Sequence, residues 1–464
     1  MSEEDKTPSV WSKYTEADKV ALEKFSEGYI DFLSRCKTER ECVTETIELA
    51  EKAGYKNLEV VIRNGQKLRA GDKVYSAFMG KSIVLFQIGS EPLERGLKIL
   101  GAHIDTCRLD VKQNPLYDDG GLAYLDTHYY GGIKKYQWVT LPLAMHGVVI
   151  KKDGTAIKIV IGENDTDPVF CVTDLLVHLS QEQMEKKAEQ VITGENLDIL
   201  VGNYPLKNGD KESVKNGILK LLKGKYNIDA DDFLSSEIAL VPAGKARSLG
   251  LDSSMILGYG QDDRVCAYTS LVSTLEFSNK AISTTICCLL VDKEEIGSFG
   301  ATGMRSRFFE NAFVEVMRAC GQYSEFAFRR ALQNSFMLSS DVSSAYDALY
   351  ADAYDKRNVA YLGKGMVFNK FTGFGGKGGA SEANAEYISK LRKILDDNNV
   401  HYQFSEMGKV DLGGGGTIAH ITAAYGMEVI DSGVAVLSMH APWEATSKID
   451  IYESKKGYMA FLNS

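Results

Sequence analysis

Two adjacent glutamates, Glu294 and Glu295, lie just past the end of an apolar segment and have the chemistry to bind a metal or to move a proton. The segment, residues 286–291, is short and made of Ile, Cys, Leu and Val, which predicts a strand buried on both faces. Open α/β sheets place their sites at the carboxyl ends of such strands. Neighbouring carboxylates repel each other unless a cation holds them or one is protonated. An isolated pair of glutamates is usually a solvated turn, so the interpretation depends on matching residues elsewhere.

Other predicted strands also end in residues that bind metals. These residues are His103, Asp105, Asp341 and His440, which follow the apolar segments 97–102, 336–340 and 434–439. Alternate residues of an extended chain point the same way, so Asp105 can hold the His103 ring from behind. The strand ends therefore supply both imidazoles and carboxylates.

An acidic turn at residues 258–264 is flanked by glycines and opens a helix predicted at 265–275. Either Asp262 or Asp263 could reach a metal from this turn, and Asp263 could instead pair with Arg264. Two histidines and several carboxylates at strand and helix ends are the donors that paired catalytic Zn²⁺ sites use.

Five motifs, in this order along the chain, resemble those of the M18 family of metalloaminopeptidases, the aspartyl aminopeptidase and aminopeptidase I family. They are GAHID at 101–105, QDD at 261–263 where the family usually has LDN, DKEEIGS at 292–298, SSD at 339–341 and LSMH at 437–440. The resemblance spans most of the chain. It implies an α/β zinc-peptidase fold with a mixed central sheet and helices on both of its faces.

The resemblance also implies how these residues divide the chemistry. Glu294 would be the catalytic base, and Asp105 would orient a histidine ligand. The implied ligands of two Zn²⁺ ions, for which Co²⁺ or Mn²⁺ can substitute, are His103 and Asp341 for one ion, Glu295 and His440 for the other, and Asp262 as the bridge.

The length of 464 residues predicts more than one domain, since single cores rarely grow beyond about 300 residues. Thr38 and Glu41 form a capping-box pattern that predicts a helix start in the first part of the chain. Residues 107–251 change to short alternating runs between glycine turns, which predicts antiparallel strands. We therefore predict a catalytic domain in two parts, 1–106 and 252–464, around an inserted β-rich domain. In the family that the chain resembles, this insertion forms dimers.

Substrate contacts are inferred from the same resemblance. The glycine-rich loop with Gly415 and Thr417 is similar to the family's substrate loop and lacks the spacing of a P-loop. Asn369 falls where aspartyl aminopeptidases carry a lysine that recognises an acidic side chain. We therefore predict cleavage of neutral or apolar N-terminal residues. Specificity for Asp or Glu would survive only if Lys370 enters the pocket.

His178 resembles a family histidine that reaches into the active site of a neighbouring subunit. The resemblance thus implies a homo-oligomer, in which dimers associate into tetrahedral dodecamers. Closed symmetric assemblies are the usual case for oligomeric enzymes.

Composition narrows the classes of function. The net charge of −10 argues against nucleic-acid binding and is compatible with peptide substrates that carry a free ammonium group. The 8 cysteines show no disulfide or metal-binding spacing, and no stretch approaches transmembrane length. We expect a cytoplasmic protein without membrane partners.

Three functions are consistent with the sequence. The favoured one is a dizinc aminopeptidase. A dizinc carboxypeptidase or deacylase could use the same five ligands and would still cleave a peptide with a blocked N-terminus. The third is a catalytically silent shell or cargo protein, against which the complete ligand set and Glu294 argue.

Overall fold

The computed structural model describes residues 9–206 and 213–464, which divide into two units. Unit 1 comprises the described residues up to Asp105 together with Ala246–Met439 and Glu444–Ser464. Unit 2 comprises the described residues of Thr106–Lys245 together with His440–Trp443. The boundaries predicted after residues 106 and 251 lie near the divisions after Asp105 and Lys245.

Short strands build most of the chain. In chain order they are β1 (Lys56–Asn57), β2 (Lys73–Phe78), β3 (Ser82–Gln87), β4 (Leu97–His103), β5 (Arg108–Asp119), β6 (Leu122–Tyr130), β7 (Leu143–Ile150), β8 (Ala156–Ile161), β9 (Ile199–Gly202), β10 (Ser236–Pro242), β11 (Arg247–Leu249), β12 (Met255–Gly258), β13 (Thr285–Val291), β14 (Phe336–Ser340), β15 (Ser343–Ser344), β16 (Met366–Asn369), β17 (Tyr402–Phe404), β18 (Glu428–Gly433), β19 (Ala435–Leu437) and β20 (Glu444–Ser447).

The α-helices vary from single turns to 20 residues. In chain order they are α1 (Glu16–Arg35), α2 (Glu39–Lys52), α3 (Leu58–Arg63), α4 (Gln181–Met184), α5 (Ala188–Val191), α6 (Ser213–Tyr226), α7 (Gln261–Leu275), α8 (Phe308–Ala319), α9 (Glu325–Gln333), α10 (Ala385–Asp397), α11 (Ala419–Ala423) and α12 (Lys448–Asn463). The predicted capping box is present at α2, where Thr38 and Glu41 bond each other's backbone N–H groups. None of the described helices has both the length and the apolar character needed to cross a bilayer.

A nine-stranded sheet in the order β1-β2-β3-β13-β4-β14-β18-β16-β17 forms the centre of unit 1. The strands β13, β4, β14 and β18 are parallel, whereas β3 and β16 pair with their neighbours β13 and β18 in antiparallel fashion. The predicted mixed sheet is therefore confirmed. Strands β11 and β12 belong to a second, five-stranded sheet with β20, β19 and β15, which places residues 246–251 in unit 1.

Helices cover both faces of the central sheet, because alternate residues of a strand face opposite ways. In β13, Cys287 and Leu289 pack in the cluster that contains α8 and α9, whereas Cys288 and Leu290 pack in the cluster that contains α1, α2 and α7. Every residue of β13 is buried, as the apolar segment predicts.

Unit 2 is built on a six-stranded sheet in the order β8-β7-β10-β5-β6-β9. All its pairs are antiparallel, and α6 packs against β5, β6 and β9. The unit has the β-rich character expected of the insertion. A role in dimerisation stays a prediction.

Candidate active site and metal centre

Parallel pairing brings three of the predicted strand ends to one edge of the central sheet. His103 is the last residue of β4 and lies in register with Val291, the last residue of β13. Glu294 and Glu295 follow β13 in a 3₁₀ turn, and Asp341 follows β14, which also pairs with β4. The edge therefore collects an imidazole and three carboxylates within unit 1.

His103 is the centre of this group. Its Nδ1 lies 3.0 Å from the carbonyl oxygen of Asp105 and 3.3 Å from Oδ1 of the same residue. Its Nε2 lies 3.2 Å from Oδ1 of Asp262 and 3.9 Å from carboxylate oxygens of Glu294 and Asp341. A proton on Nδ1 donates to Asp105 and leaves Nε2 as the atom that can bind a metal. Burial lowers the pKa of His103, but the surrounding carboxylates outweigh burial and raise it well above its ordinary value.

Asp105 has a second function that the sequence does not reveal. Its two carboxylate oxygens accept the backbone N–H groups of Glu294 and Glu295, at 3.1 and 3.2 Å. Asp105 is fully buried, so these bonds are shielded from water. The same side chain thus fixes both the His103 ring and the turn that carries the glutamate pair.

The acidic turn at the start of α7 is held from several sides. The N–H of Asp262 donates to Oε2 of Glu444 at 3.1 Å, and the Gln261 amide donates to the Glu444 carbonyl oxygen at 2.6 Å. Backbone angles at Asp262 and Asp263 are not helical, so the regular helix begins after them. Both aspartate side chains are buried.

Asp263 does not pair with Arg264, which was one of the sequence alternatives. The guanidinium of Arg264 donates to the carbonyl oxygens of Lys37 at 2.9 Å and Tyr259 at 3.4 Å. Neither carboxylate oxygen of Asp263 has a hydrogen-bond partner among the described residues. Burial raises the pKa of Asp263 well above its ordinary value, although the nearby His103 opposes the shift.

Among the described residues of unit 1, two sets of ligand atoms are close enough to hold a metal. One set is His103, Asp262 and Glu295, and the other is His103, Asp263 and Asp341; within each set the atoms lie within 4.8 Å of one another. Burial raises the pKa of Asp341 well above its ordinary value, and the neighbouring Asp263 raises it further. Carboxylates this close to one another are stabilised by a cation, and imidazole with carboxylates suits Zn²⁺. The donor set therefore fits the implied metal.

His440 lies in unit 2, three residues after the end of β19. Its Nδ1 is 2.9 Å from the carbonyl oxygen of Gly132 in the same unit. As with His103, a backbone carbonyl holds the Nδ1 proton and leaves Nε2 in the form that binds Zn²⁺.

The two candidate specificity residues point to different surroundings. Asn369 is buried at the end of β16, and its Oδ1 accepts the Ser343 hydroxyl at 2.6 Å. Lys370 is half exposed, and its Nζ lies 3.6 Å from Glu382. The Lys377 ammonium lies closer to the same carboxylate, at 2.9 Å, so the two lysines share Glu382 at the surface.

The substrate-loop candidates are tied to a buried aspartate that sequence reasoning missed. The Thr417 hydroxyl donates to Asp431, and the Gly415 carbonyl accepts the N–H of Gly373 at 2.8 Å. Asp431 lies opposite Asn369 in the β16–β18 pair. Burial raises the pKa of Asp431 to about 7, the Thr417 hydrogen bond lowers it, and the charge of Glu294 raises it. Its position directly after the apolar pair Val429-Ile430, inside β18, is the sequence signal that could have identified it.

His178 lies in unit 2 on an exposed 3₁₀ turn, Val177–Leu179. Its surroundings are unusual because four apolar side chains beside it are also exposed: Leu175, Leu176, Val177 and Leu179. Contiguous exposed apolar groups of this kind mark interaction surfaces.

Comparison with known proteins gives consistent matches along nearly the whole chain. The model of the family described as aminopeptidase I zinc metalloprotease (M18) matches residues 32–462. A relative named probable M18 family aminopeptidase 1, from Clostridium acetobutylicum, is 59% identical over 459 residues, 98% of each chain. The crystal structure of aminopeptidase I from Clostridium acetobutylicum has a TM-score of 0.92 at 56% identity, covering 98% of this chain and 99% of that one. The M18 aminopeptidase from Thermotoga maritima has a TM-score of 0.93 at 41% identity, with the same coverage.

Proposed function

Because the chain belongs to the M18 family of zinc metallopeptidases, hydrolases whose relatives are named aminopeptidases, we propose that it removes the N-terminal residue of peptides with two Zn²⁺ ions and Glu294 as general base. The resemblance drawn from the motifs is thereby confirmed at the level of the family. The observation that carries the finer proposal is the convergence of His103 with four carboxylates, those of Asp262, Asp263, Glu295 and Asp341.

The ligands would divide between the two ions as the motifs imply. His103 and Asp341 would hold one ion, Glu295 would hold the other, and Asp262, whose Oδ1 lies 3.2 Å from Nε2 of His103, would bridge them. His440 would be a further ligand of the second ion, and this assignment rests on the LSMH motif alone. Two bound Zn²⁺ ions would acidify a water molecule and polarise the peptide carbonyl.

Glu294 is placed to move the proton. It is in neither of the two ligand sets, yet its Oε2 lies 3.9 Å from Nε2 of His103. Its backbone is fixed by Asp105, so the side chain starts from a defined position. Glu294 would take a proton from the attacking water and pass it to the amine of the departing peptide.

The surroundings of Asn369 support a preference for neutral or apolar N-terminal residues. The side chain at this position is neutral and opposite Asp431, while the Lys370 ammonium pairs with Glu382. An acidic substrate side chain would therefore meet Asp431 and no cationic side chain on β16. Burying a carboxylate in such a pocket costs several kcal/mol.

One assay tests the proposal directly. The metal-free protein would be loaded with Zn²⁺, Co²⁺ or Mn²⁺ and offered a panel of aminoacyl substrates covering Asp, Glu, Leu, Met and Lys. We expect metal-dependent cleavage with Leu or Met fastest. An N-terminally acetylated peptide is the control: its cleavage would indicate the carboxypeptidase or deacylase alternative, and metal binding without any cleavage would indicate a silent protein.

The proposal includes assembly into a homo-oligomer and a cytoplasmic location. The exposed apolar residues around His178 support assembly, and eight free cysteines, most of them buried, support a cytoplasmic location.

If His178 acts in a neighbouring subunit, H178F should lose activity without a change in particle size. Mixing H178F with E294Q subunits should then restore activity, since one mixed site has both residues intact. No recovery, with subunit exchange demonstrated, would confine His178 to its own chain.

A further inference from the structure

The carboxyl group of Asp263 has no function in the mechanism above, although the structure places it beside the metal ligands. The residue is 0% exposed, and both of its oxygens lack a hydrogen-bond partner among the described residues. An ionised carboxylate buried without a partner costs several kcal/mol, so proteins normally pair it or place it on a metal.

The neighbouring groups of the protein do not neutralise Asp263. Arg264 is the adjacent residue, but its guanidinium is directed at the carbonyl oxygens of Lys37 and Tyr259. The Cys266 thiol lies nearby and is only a weak donor. His103 lies close through both its backbone N–H and its ring and lowers the pKa of Asp263, but neither group forms a hydrogen bond of normal geometry with the carboxylate, and Nδ1 is engaged by Asp105.

Asp263 lies close to two other side chains that can bind a metal, His103 and Asp341. One of its oxygens lies within 4.8 Å of ligand atoms of both His103 and Asp341, the two residues implied to share an ion. Ligands about 2.0–2.2 Å from a tetrahedral Zn²⁺ are separated from one another by less than this limit. The spacing of the three ligand atoms is therefore compatible with one ion that contacts all three side chains.

We propose that Asp263 is a further ligand of the ion held by His103 and Asp341. The inference rests on the proposed dizinc function and extends its ligand set beyond the five implied residues. An additional carboxylate makes this position richer in oxygen donors, which suits Mn²⁺ as well as Zn²⁺. The buried charge of Asp263 is then matched by the ion.

The test compares the full-length wild type with D263N, and with D165N as a matched change at an exposed aspartate of unit 2. Metal-free proteins would be titrated with Zn²⁺ and with Mn²⁺, and the number and affinity of bound ions measured by calorimetry. We expect D263N to lose roughly ten- to a hundredfold in affinity at one of two positions and D165N to match the wild type. Two unchanged affinities in D263N would overturn the inference.

Thermal unfolding separates a ligand from a structural residue. If Asp263 is a metal ligand, no cation balances its buried carboxylate when the metal is absent. Metal-free D263N should then unfold at the same or a higher temperature than the metal-free wild type. Added metal should then stabilise D263N less. A lower unfolding temperature of metal-free D263N, or its failure to fold, would assign Asp263 to the fold and overturn the inference. A wild type that binds no ion would instead overturn the proposed function.

Discussion

Two groups of residues in unit 1 satisfy their polar side chains in different ways: those proposed to hold the ions, here the metal-facing side, and those proposed to contact substrate, here the substrate-facing side. On the substrate-facing side, side chains pair with one another: Asn369 with Ser343, Thr417 with Asp431, and Lys370 with Glu382. On the metal-facing side, carboxylates converge on a single imidazole, and Asp263 has no partner among the described residues. The first arrangement is complete without a ligand, whereas the second calls for cations. Substitutions should therefore change metal binding and turnover on one side, and selectivity or stability on the other.

The largest effect is expected from E294Q. Removing a general base lowers turnover by at least about a hundredfold, and Glu294 is not needed in either ligand set. The variant should therefore keep two metals per subunit, measured by elemental analysis. E295Q is the matched control, because it changes the adjacent residue in the same way and should weaken one metal site. Loss of metal from E294Q would make Glu294 a ligand and remove it as the base.

The next effect is expected from D105N. The amide would still accept one hydrogen bond, but it would hold the His103 ring and the Glu294 and Glu295 backbone less firmly. We expect metal affinity or kcat/KM to fall by roughly ten- to a hundredfold with the fold intact by circular dichroism. Unchanged affinity and rate would reduce Asp105 to a residue that only stabilises the turn.

The contrast between the two sides also explains what the sequence could predict. The strand ends near His103, Glu294 and Asp341 were predictable because each is a local pattern, an apolar run followed by a residue that can bind a metal or move a proton. The contact of Asp105 with the turn that carries Glu294 and Glu295 could not be predicted, because it joins residues far apart in sequence. The same holds for Thr417 and Asp431, whose pairing requires the loop to fold back on β18.

One strand is shorter than predicted and belongs to another sheet, again because its partner strands are distant in sequence. Residues 434–439 were expected to form a strand of the same kind as the others, but the central sheet uses β18, Glu428–Gly433, and only β19, Ala435–Leu437, continues as a strand. β19 belongs to the five-stranded sheet. The apolar composition predicted burial, and the partner strands that decide the sheet are distant in sequence.

A smaller effect, on selectivity, is expected from N369K. A lysine at this position would supply the cation that the pocket lacks, so the ratio of Asp to Leu hydrolysis should rise by about tenfold. K370A is the control: because the Lys370 ammonium pairs with Glu382, the ratio should stay within twofold of the wild type. If the wild type prefers Asp and K370A abolishes that preference, Lys370 recognises the acidic side chain and the predicted preference is wrong.

The smallest effect concerns stability and pH at Asp431. Because burial raises the pKa of Asp431 to about 7, the native state binds its proton more tightly than the unfolded chain, whose aspartates titrate near 3.8. This group therefore stabilises the fold at low pH, and the contribution is lost as the pH rises from about 4 to 7.

The D431N variant tests this dependence, because it keeps an oxygen that can accept the Thr417 hydroxyl but never carries the charge. The unfolding temperature of metal-free D431N relative to wild type should thus be higher at pH 8 than at pH 5. Other titrating carboxylates are common to both proteins and cancel in this comparison. An equal difference at both pH values would show that the pKa of Asp431 is not raised in the folded protein.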